Sequence, residues 1–168
     1  MDIKLRPIEP QDLDLLYQYE NDPDNWLISN TSTPFSKQTL KKYLASIHDI
    51  YADKQLRMVI INKNFRAVGL LDFFDYDDKN RRVGLGIVID KEFRAQGIGK
   101  KAIKEAVKYG FDVLYLHQIY CNIMASNSKS INLFESLGFV RCADKKDWIQ
   151  TPQGWENELM YQLINPNK

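Results

Sequence analysis

The sequence has little of what marks three classes of protein. It holds two cysteines, Cys121 and Cys142, at neither a metal-ligand nor a redox spacing, which argues against a disulfide scaffold. No apolar run approaches the roughly 20 residues that a membrane span needs. The first residues also do not form a charged segment followed by an apolar one. We therefore expect a reduced cytoplasmic protein that binds no metal and enters no membrane.

An excess of one charge is also missing. Lysine and arginine total 23, aspartate and glutamate total 22, and the formal net charge is +1. This balance provides no whole-protein electrostatic footprint for nucleic acid. Linker-like stretches and internal repeats are absent from the 168 residues as well. We therefore expect a single domain over residues 1–168, with no nucleic-acid partner.

Hydrophobic periodicity predicts alternating strands and helices. A strand is expected over 3–8 and a helix over 12–20, followed by a break at 21–25. A second helix is expected after Ser36 as its N-cap, with an apolar stripe through Ile47 to Ile50. Further strands are predicted at 56–62, 67–76, 81–90, 119–124, 139–142, 148–149 and 155–164, and further helices at 98–113 and 128–137. This order predicts an α/β fold with a mixed sheet covered by helices on both faces.

One segment combines a strand, a short loop, a glycine turn and a helix. From Val83 it reads VGLGIVIDKEFRAQGIGK. A helix N-terminus presents unpaired N–H groups, and glycines allow a ligand to approach the backbone, so the turn can seat a phosphate. A Walker A loop does not fit, because Arg94 stands where its first glycine belongs. A dinucleotide fingerprint fits poorly, since the turn follows a meander strand. A plain connecting turn remains an alternative.

The motif Arg94-x-x-Gly97-x-Gly99 resembles the acetyl-CoA pyrophosphate signature of the GNAT N-acetyltransferases. Segments 5–13 and 20–26 are similar to the opening of the branch that contains ribosomal-protein N-terminal-amine and spermidine acetyltransferases. Segments 109–111 and 127–139 are similar to its later motifs. The resemblance implies a GNAT fold, with about seven strands and a splay between the fourth and fifth. It also implies acetyl-CoA as co-substrate.

The same resemblance assigns cofactor contacts to this sequence. The pantetheine arm is expected to pair with the backbone of Ile87, Val88 and Ile89, as an added strand does. Asn127 matches an asparagine that contacts the cofactor, although the same residue could simply cap the next helix. The pyrophosphate is expected to lie against Arg94, Ala95, Gln96, Gly97, Ile98, Gly99 and Lys100.

Two positions depart from the family at residues that often handle protons. Gly84 stands where many members carry glutamate, and Phe134 stands where polyamine-acetylating members carry a tyrosine acid. We therefore consider three substitutes as catalytic residues. Asp72 could order a water or bind the amine, Ser130 could hydrogen-bond the thiol, and Tyr120 could serve as an acid. The alternatives are a carboxylate at a strand edge, a solvated helix serine and a core tyrosine.

The resulting hypothesis is an N-acetyltransferase that acts by direct transfer in a ternary complex. Its acceptor would be a primary amine: a protein N-terminus, a polyamine or another small amine. A homodimer is the expected assembly, because dimers are common among similar proteins. Two other functions stay open. One is a catalytically silent acyl-CoA-binding module, motivated by Gly84 and Phe134. The other is a nucleotide-binding protein.

Overall fold

The computed structural model describes residues 2–29, 31–46 and 49–167. It divides into two compact units. One unit is the segment Pro7–His48, and the other combines Met1–Arg6 with Asp49–Lys168. None of the helices in the described ranges has the length and apolar character to cross a membrane.

The first unit is helical, with α1 at Leu13–Glu20, α2 at Pro23–Ser29 and α3 at Lys37–Ala45. The predicted break at 21–25 is wrong in its length, because Pro23 opens α2. Proline suits a first helical turn, where its missing N–H would have no partner. The predicted N-cap is confirmed, since the Ser36 hydroxyl accepts from the Thr39 amide at 3.1 Å. Helix α3 ends at Ala45, so its predicted continuation to Ile50 is wrong. Ile47 lies outside the described residues, and Ile50 begins a separate helix at Ile50–Asp53.

The second unit contains a seven-stranded mixed sheet in the order β1-β2-β3-β4-β5-β7-β6. The pairs β2–β3, β3–β4, β5–β7 and β7–β6 are antiparallel, whereas β4 and β5 run parallel. The strands are β1 (Ile3–Pro7), β2 (Leu56–Asn62), β3 (Ala67–Asp77), β4 (Arg82–Ile89), β5 (Gln118–Met124), β6 (Val140–Thr151) and β7 (Gly154–Ile164). The helices of this unit are α4 (Ile50–Asp53), α5 (Ile98–Asp112) and α6 (Ser128–Glu135).

The main core lies between one face of this sheet and helices α5 and α6. Alternate residues of the central strands, such as Phe73, Leu85 and Ile119, are almost completely buried there. They pack with Ala102 and Ile103 of α5 in one apolar cluster. Because side chains alternate along a strand, the intervening residues of β3, β4 and β5 point to the opposite face.

The parallel pair β4 and β5 separates soon after it forms. In these two fully described strands, pairing covers Arg82 with Gln118, Val83 with Ile119 and Gly84 with Tyr120. Beyond Gly84, β4 continues to Ile89, and beyond Tyr120, β5 continues to Met124. The expected divergence between the fourth and fifth strands is therefore confirmed.

The C-terminal hairpin corrects one prediction. The segments predicted at 139–142 and 148–149 form one strand, β6, which pairs with β7 through two register shifts. One shift lies between Lys145 and Ile149, where Asp147 adopts a φ of 47°. Such an irregularity interrupts the alternation of apolar and polar side chains, which explains the divided prediction.

Two glycines of neighbouring strands predict stability effects of different size. A Cβ on Gly69 would overlap the Val88 carbonyl oxygen, whereas a Cβ on Gly86 would meet its nearest atoms at 3.9 and 4.0 Å. Gly69→Ala should therefore lower the free energy of unfolding by about 1–3 kcal/mol. Gly86→Ala should change it by less than about 0.5 kcal/mol. Thermal unfolding of both variants measures this, and an equal loss in the two would contradict the close approach at Gly69.

Candidate active site

The end of β4 leads directly into a turn that precedes helix α5. A short 3-10 turn at Lys91–Phe93 follows the strand, and the backbone then adopts positive φ at Ala95 (60°) and Gly97 (75°). Gly97 is the N-cap of the 15-residue helix α5, and a Cβ there would meet nothing within 4 Å. The predicted phosphate seat thus lies at the N-terminus of a long helix, whose backbone dipoles favour an anion.

Arg94 links this turn to the strand before it. Its Nε donates to the Ile89 carbonyl oxygen at 2.8 Å, and its side chain is exposed. A guanidinium has five N–H donors, so the remaining ones can still bind an anion. Gln96 also braces the turn, because its amide donates to the Glu92 carbonyl oxygen at 3.0 Å. The residues predicted to hold pyrophosphate therefore form a turn at 94–97, which is hydrogen-bonded to the chain before it, and the start of α5 at 98–100.

Gly99 lies where α5, β4 and α6 meet. A Cβ there would stand 3.3 Å from Leu133 Cδ2 of α6 and 3.8 Å from Ile89 Cγ1 of β4. Asn127 is the N-cap of α6, since its Oδ1 accepts from the Ser130 amide at 3.1 Å. The capping role weighed for Asn127 is therefore present, and its amino group can still donate to a ligand. Ser130 lies in the first turn of α6 and is half-buried.

The opposite face of the sheet carries an aromatic pair at the point of divergence. Phe74 of β3, Gly84 of β4 and Tyr120 of β5 lie side by side in register. The Phe74 ring occupies the space where a Cβ of Gly84 would stand. It meets the Tyr120 ring edge to face, with 5.8 Å between centroids. A glutamate at position 84 would have to displace this ring.

Tyr120 is half-buried at the last β4–β5 pair. Burial, followed by the nearby Asp75 carboxylate, raises the pKa of Tyr120 to about 12. The Tyr120 hydroxyl lies 3.5 Å from Asp75 Oδ2. Asp75 is held at a φ of 51° where the register of β3 and β4 shifts. The phenol of Tyr120 is therefore protonated across the physiological range.

Asp72 lies on the same face, two residues before Phe74. It is opposite Arg57 of β2 and Gly86 of β4, so it belongs to an inner strand. The alternative of a strand-edge carboxylate is therefore wrong. Its Oδ1 accepts from Arg57 Nε at 2.6 Å and its Oδ2 accepts from an Arg57 amino group at 3.2 Å. Gly86 lies two residues past the last β4–β5 pair and has no side chain to stand beside Asp72.

This geometry can be compared with known proteins. The family model described as the acetyltransferase (GNAT) domain matches residues 2–140. The chain belongs to the GNAT acetyltransferase family. The predicted family and enzyme class are thereby confirmed, as is acetyl-CoA as the co-substrate of this acetyltransferase.

Two relatives of this GNAT protein are named for different acceptors. It is 26% identical over 140 residues to the spermidine N(1)-acetyltransferase of Escherichia coli K12, covering 82% of this chain and 72% of the relative. It is 25% identical over 167 residues to the putative ribosomal N-acetyltransferase YdaF of Bacillus subtilis, covering 96% and 90%. The sequence therefore has relatives of both kinds to which its motifs pointed.

The fold of this GNAT protein matches a solved relative. The spermidine N-acetyltransferase of Vibrio cholerae, solved with CoA and spermine, superposes with a TM-score of 0.89 at 21% identity. The match covers 96% of this chain and 95% of that one. It confirms the predicted GNAT fold with its mixed sheet and its parallel β4–β5 pair.

Two features of this GNAT site were missed from the sequence. Arg57 stands alone as a charge within the apolar strand β2, and Phe74 covers Gly84. Counting residues back through the hairpin between β2 and β3 could have placed Arg57 opposite Asp72. Phe134, by contrast, is 4% exposed and packs edge to face on Phe139, with centroids 5.0 Å apart. It therefore serves the core.

Charge at the turn should control binding of CoA. Gly97→Glu and Gly97→Gln place side chains of equal length on the same positive φ, so they differ in charge alone. A carboxylate about 4 Å from a diphosphate costs between about 1 and 4 kcal/mol. We therefore expect Gly97→Glu to weaken CoA binding by about 100-fold more than Gly97→Gln does. Calorimetry measures both, and equal affinities would show that the diphosphate lies elsewhere.

The raised pKa of Tyr120 predicts a late ionisation. With a pKa of about 12, about one tenth of Tyr120 is ionised at pH 11, whereas an ordinary tyrosine is about nine tenths ionised there. The chain has nine tyrosines, so the ultraviolet titration of Tyr120→Phe must be subtracted from that of the wild type. A difference that titrates near pH 10 would contradict the buried setting.

Proposed function

We propose that this protein acetylates a primary amine by direct transfer from acetyl-CoA, in a ternary complex formed where β4 and β5 diverge. The observation that carries the proposal is the end of pairing at Gly84 and Tyr120, while both strands continue. Beyond Gly84, the side of β4 that faces β5 then offers backbone N–H and carbonyl groups to which a pantetheine arm can hydrogen-bond. The turn at Gly97 follows at the far end of the same strand.

In this proposal the cofactor lies along β4 and ends at α5. The backbone of Ile87, Val88 and Ile89 pairs with the pantetheine, and an N–H of this stretch polarises the thioester carbonyl. A donor at such a position contributes about 10²–10³ in rate. The segment from Arg94 to Lys100, which includes the start of α5, holds the pyrophosphate. The side-chain amino group of Asn127 is a further hydrogen-bond donor to the cofactor. The Ser130 hydroxyl, one turn further along α6, hydrogen-bonds the thiol.

The amine must lose a proton before it attacks. An ammonium with a pKa of about 10.4 is neutral in about one molecule per 10³ at pH 7. Arg57 binds both oxygens of Asp72, and each oxygen keeps a second lone pair that can accept a hydrogen bond. We therefore assign Asp72 the task of orienting a water or the amine itself. The proton passes through water to solvent, and the neutral nitrogen attacks the carbonyl carbon.

The carbon–sulfur bond breaks as the amide forms, the attacking nitrogen loses its second proton to solvent, and CoA departs as a thiolate. A phenol with a pKa of about 12 holds its proton roughly 10³ times more tightly than a thiol with a pKa of about 8.5. Tyr120 is therefore proposed to donate a hydrogen bond to the departing sulfur and to keep its proton. The thiolate is protonated from solvent.

The acceptor is proposed to be a polyamine, a protein N-terminus or another small amine. The relatives named for spermidine and for ribosomal protein support the first two classes. Phe134 argues against carrying over the tyrosine acid of polyamine-acetylating members, because its ring is committed to the core. The same residue keeps a silent acyl-CoA-binding module as the second candidate.

Three further properties belong to this proposal. The family match over residues 2–140 includes the helical unit and most of the sheet unit, which supports one acetyltransferase domain over 1–168. We propose a cytoplasmic enzyme, because its two cysteines are both free. We also expect a homo-oligomer, with the homodimer as its simplest form. The Vibrio cholerae relative has been solved as a dodecamer.

A thiol-release screen tests the function. Acetyl-CoA is incubated with spermidine, aminoglycosides, amino acids and peptides with free N-termini, and CoA thiol is measured. We expect at least one amine class to accelerate release, with an initial-rate pattern that requires both substrates to bind before product leaves. The Gly97→Glu variant is the matched control that lacks the phosphate seat. Binding of acetyl-CoA without release by any amine would support the silent module and overturn the proposal.

A further inference from the structure

We infer that Arg57 is a positioning residue for acetyl transfer, acting through Asp72. The inference rests on the proposed function, because it assigns the orientation of Asp72 to a second side chain. The motif comparison assigned no role to Arg57. The structure places it directly across from Asp72 in the β2–β3 register.

The contact between the two side chains has the geometry of a clamp. Arg57 Nε and one amino group each reach a different oxygen of Asp72, at 2.6 and 3.2 Å. The side chains are 23% and 32% exposed, so the pair is shielded on most sides. A two-point contact between planar groups fixes the orientation of the carboxylate, which a lysine ammonium cannot do.

The direction in which Asp72 is held matters for the reaction. Asp72 lies in register with Gly86, two residues beyond the last β4–β5 pair on the face shared with Tyr120, so no side chain of β4 stands directly beside it there. Each carboxylate oxygen has a further lone pair beside the one that Arg57 uses. Arg57 therefore leaves Asp72 able to accept from a water or an amine, and limits the directions from which it accepts.

A double-mutant cycle tests this coupling. Arg57→Gln should lower kcat by about 10- to 100-fold and leave the KM for acetyl-CoA within about twofold, because the cofactor loop is untouched. Arg57→Lys should recover part of the loss, since it restores charge without the two-point contact. In an Asp72→Asn background, adding Arg57→Gln should lower kcat by less than about twofold, because the group through which Arg57 acts is gone.

Two controls distinguish a loss of kcat through misplacement of Asp72 from a loss through unfolding of the protein. Arg141→Gln breaks another arginine–aspartate pair, 2.7 Å from Asp144 on β6, and should leave kcat unchanged. The double variant removes both charges, so it provides a folded comparison even where Arg57→Gln alone unfolds. Thermal unfolding is recorded for every variant.

The outcomes distinguish this inference from the proposed function. Equal losses from Arg57→Gln in both backgrounds would show that Arg57 acts independently of Asp72, and would overturn the inference alone. If Arg57→Gln were fully active while Asp72→Asn had a reduced kcat, the inference about Arg57 would again be overturned and the proposed function would stand. Full activity of Asp72→Asn would remove Asp72 from the proposed reaction, and the role of Arg57 with it. Transfer to an amine would then be tested separately by thiol release.

Discussion

The candidate site depends on the end of backbone pairing between the parallel strands β4 and β5. Backbone N–H and carbonyl groups that leave water need partners, and β4 loses those of β5 beyond Gly84. An extended amide-containing arm of a cofactor can supply them, just as an added strand would. The divergence thus creates a binding edge inside the sheet, at the level where Tyr120 and Asp72 lie on one face.

The chain on either side of this divergence supplies two different chemistries. Towards α5, the positive φ of Gly97 and the N-terminus of a long helix favour an anion. On the face opposite the core, Asp72 and Arg57 form a charge-compensated pair and Tyr120 keeps its proton. A thioester held along β4 would therefore have its phosphates bound at one end and its reacting carbon close to polar side chains at the other.

Two positions at which family members often carry proton-handling residues serve only packing in this chain. Gly84 is covered by the Phe74 ring, and Phe134 lies in the core against Phe139. Neither side chain can transfer a proton, and the polar side chains proposed for the reaction lie instead on β2, β3, β5 and α6. Asp72 and Tyr120 were considered from the sequence, whereas Arg57, the one charged residue of β2, was not.

Local patterns in the sequence were sufficient for the glycine turn, for the strands from β1 to β5 and for the longer helices, and the resemblance of several motifs indicated the family. They succeed because a cap, a turn or an alternating strand depends on residues close together in the chain. The continuity of β6 and the start of α2 at Pro23 were missed, since a bulge and a proline at a first turn disturb simple periodicity. The pairing of Arg57 with Asp72, the Phe74 ring over Gly84 and the raised pKa of Tyr120 were decided only by the tertiary structure. Each of these depends on which strands are neighbours and in what register, and that is set by burial of the whole sheet.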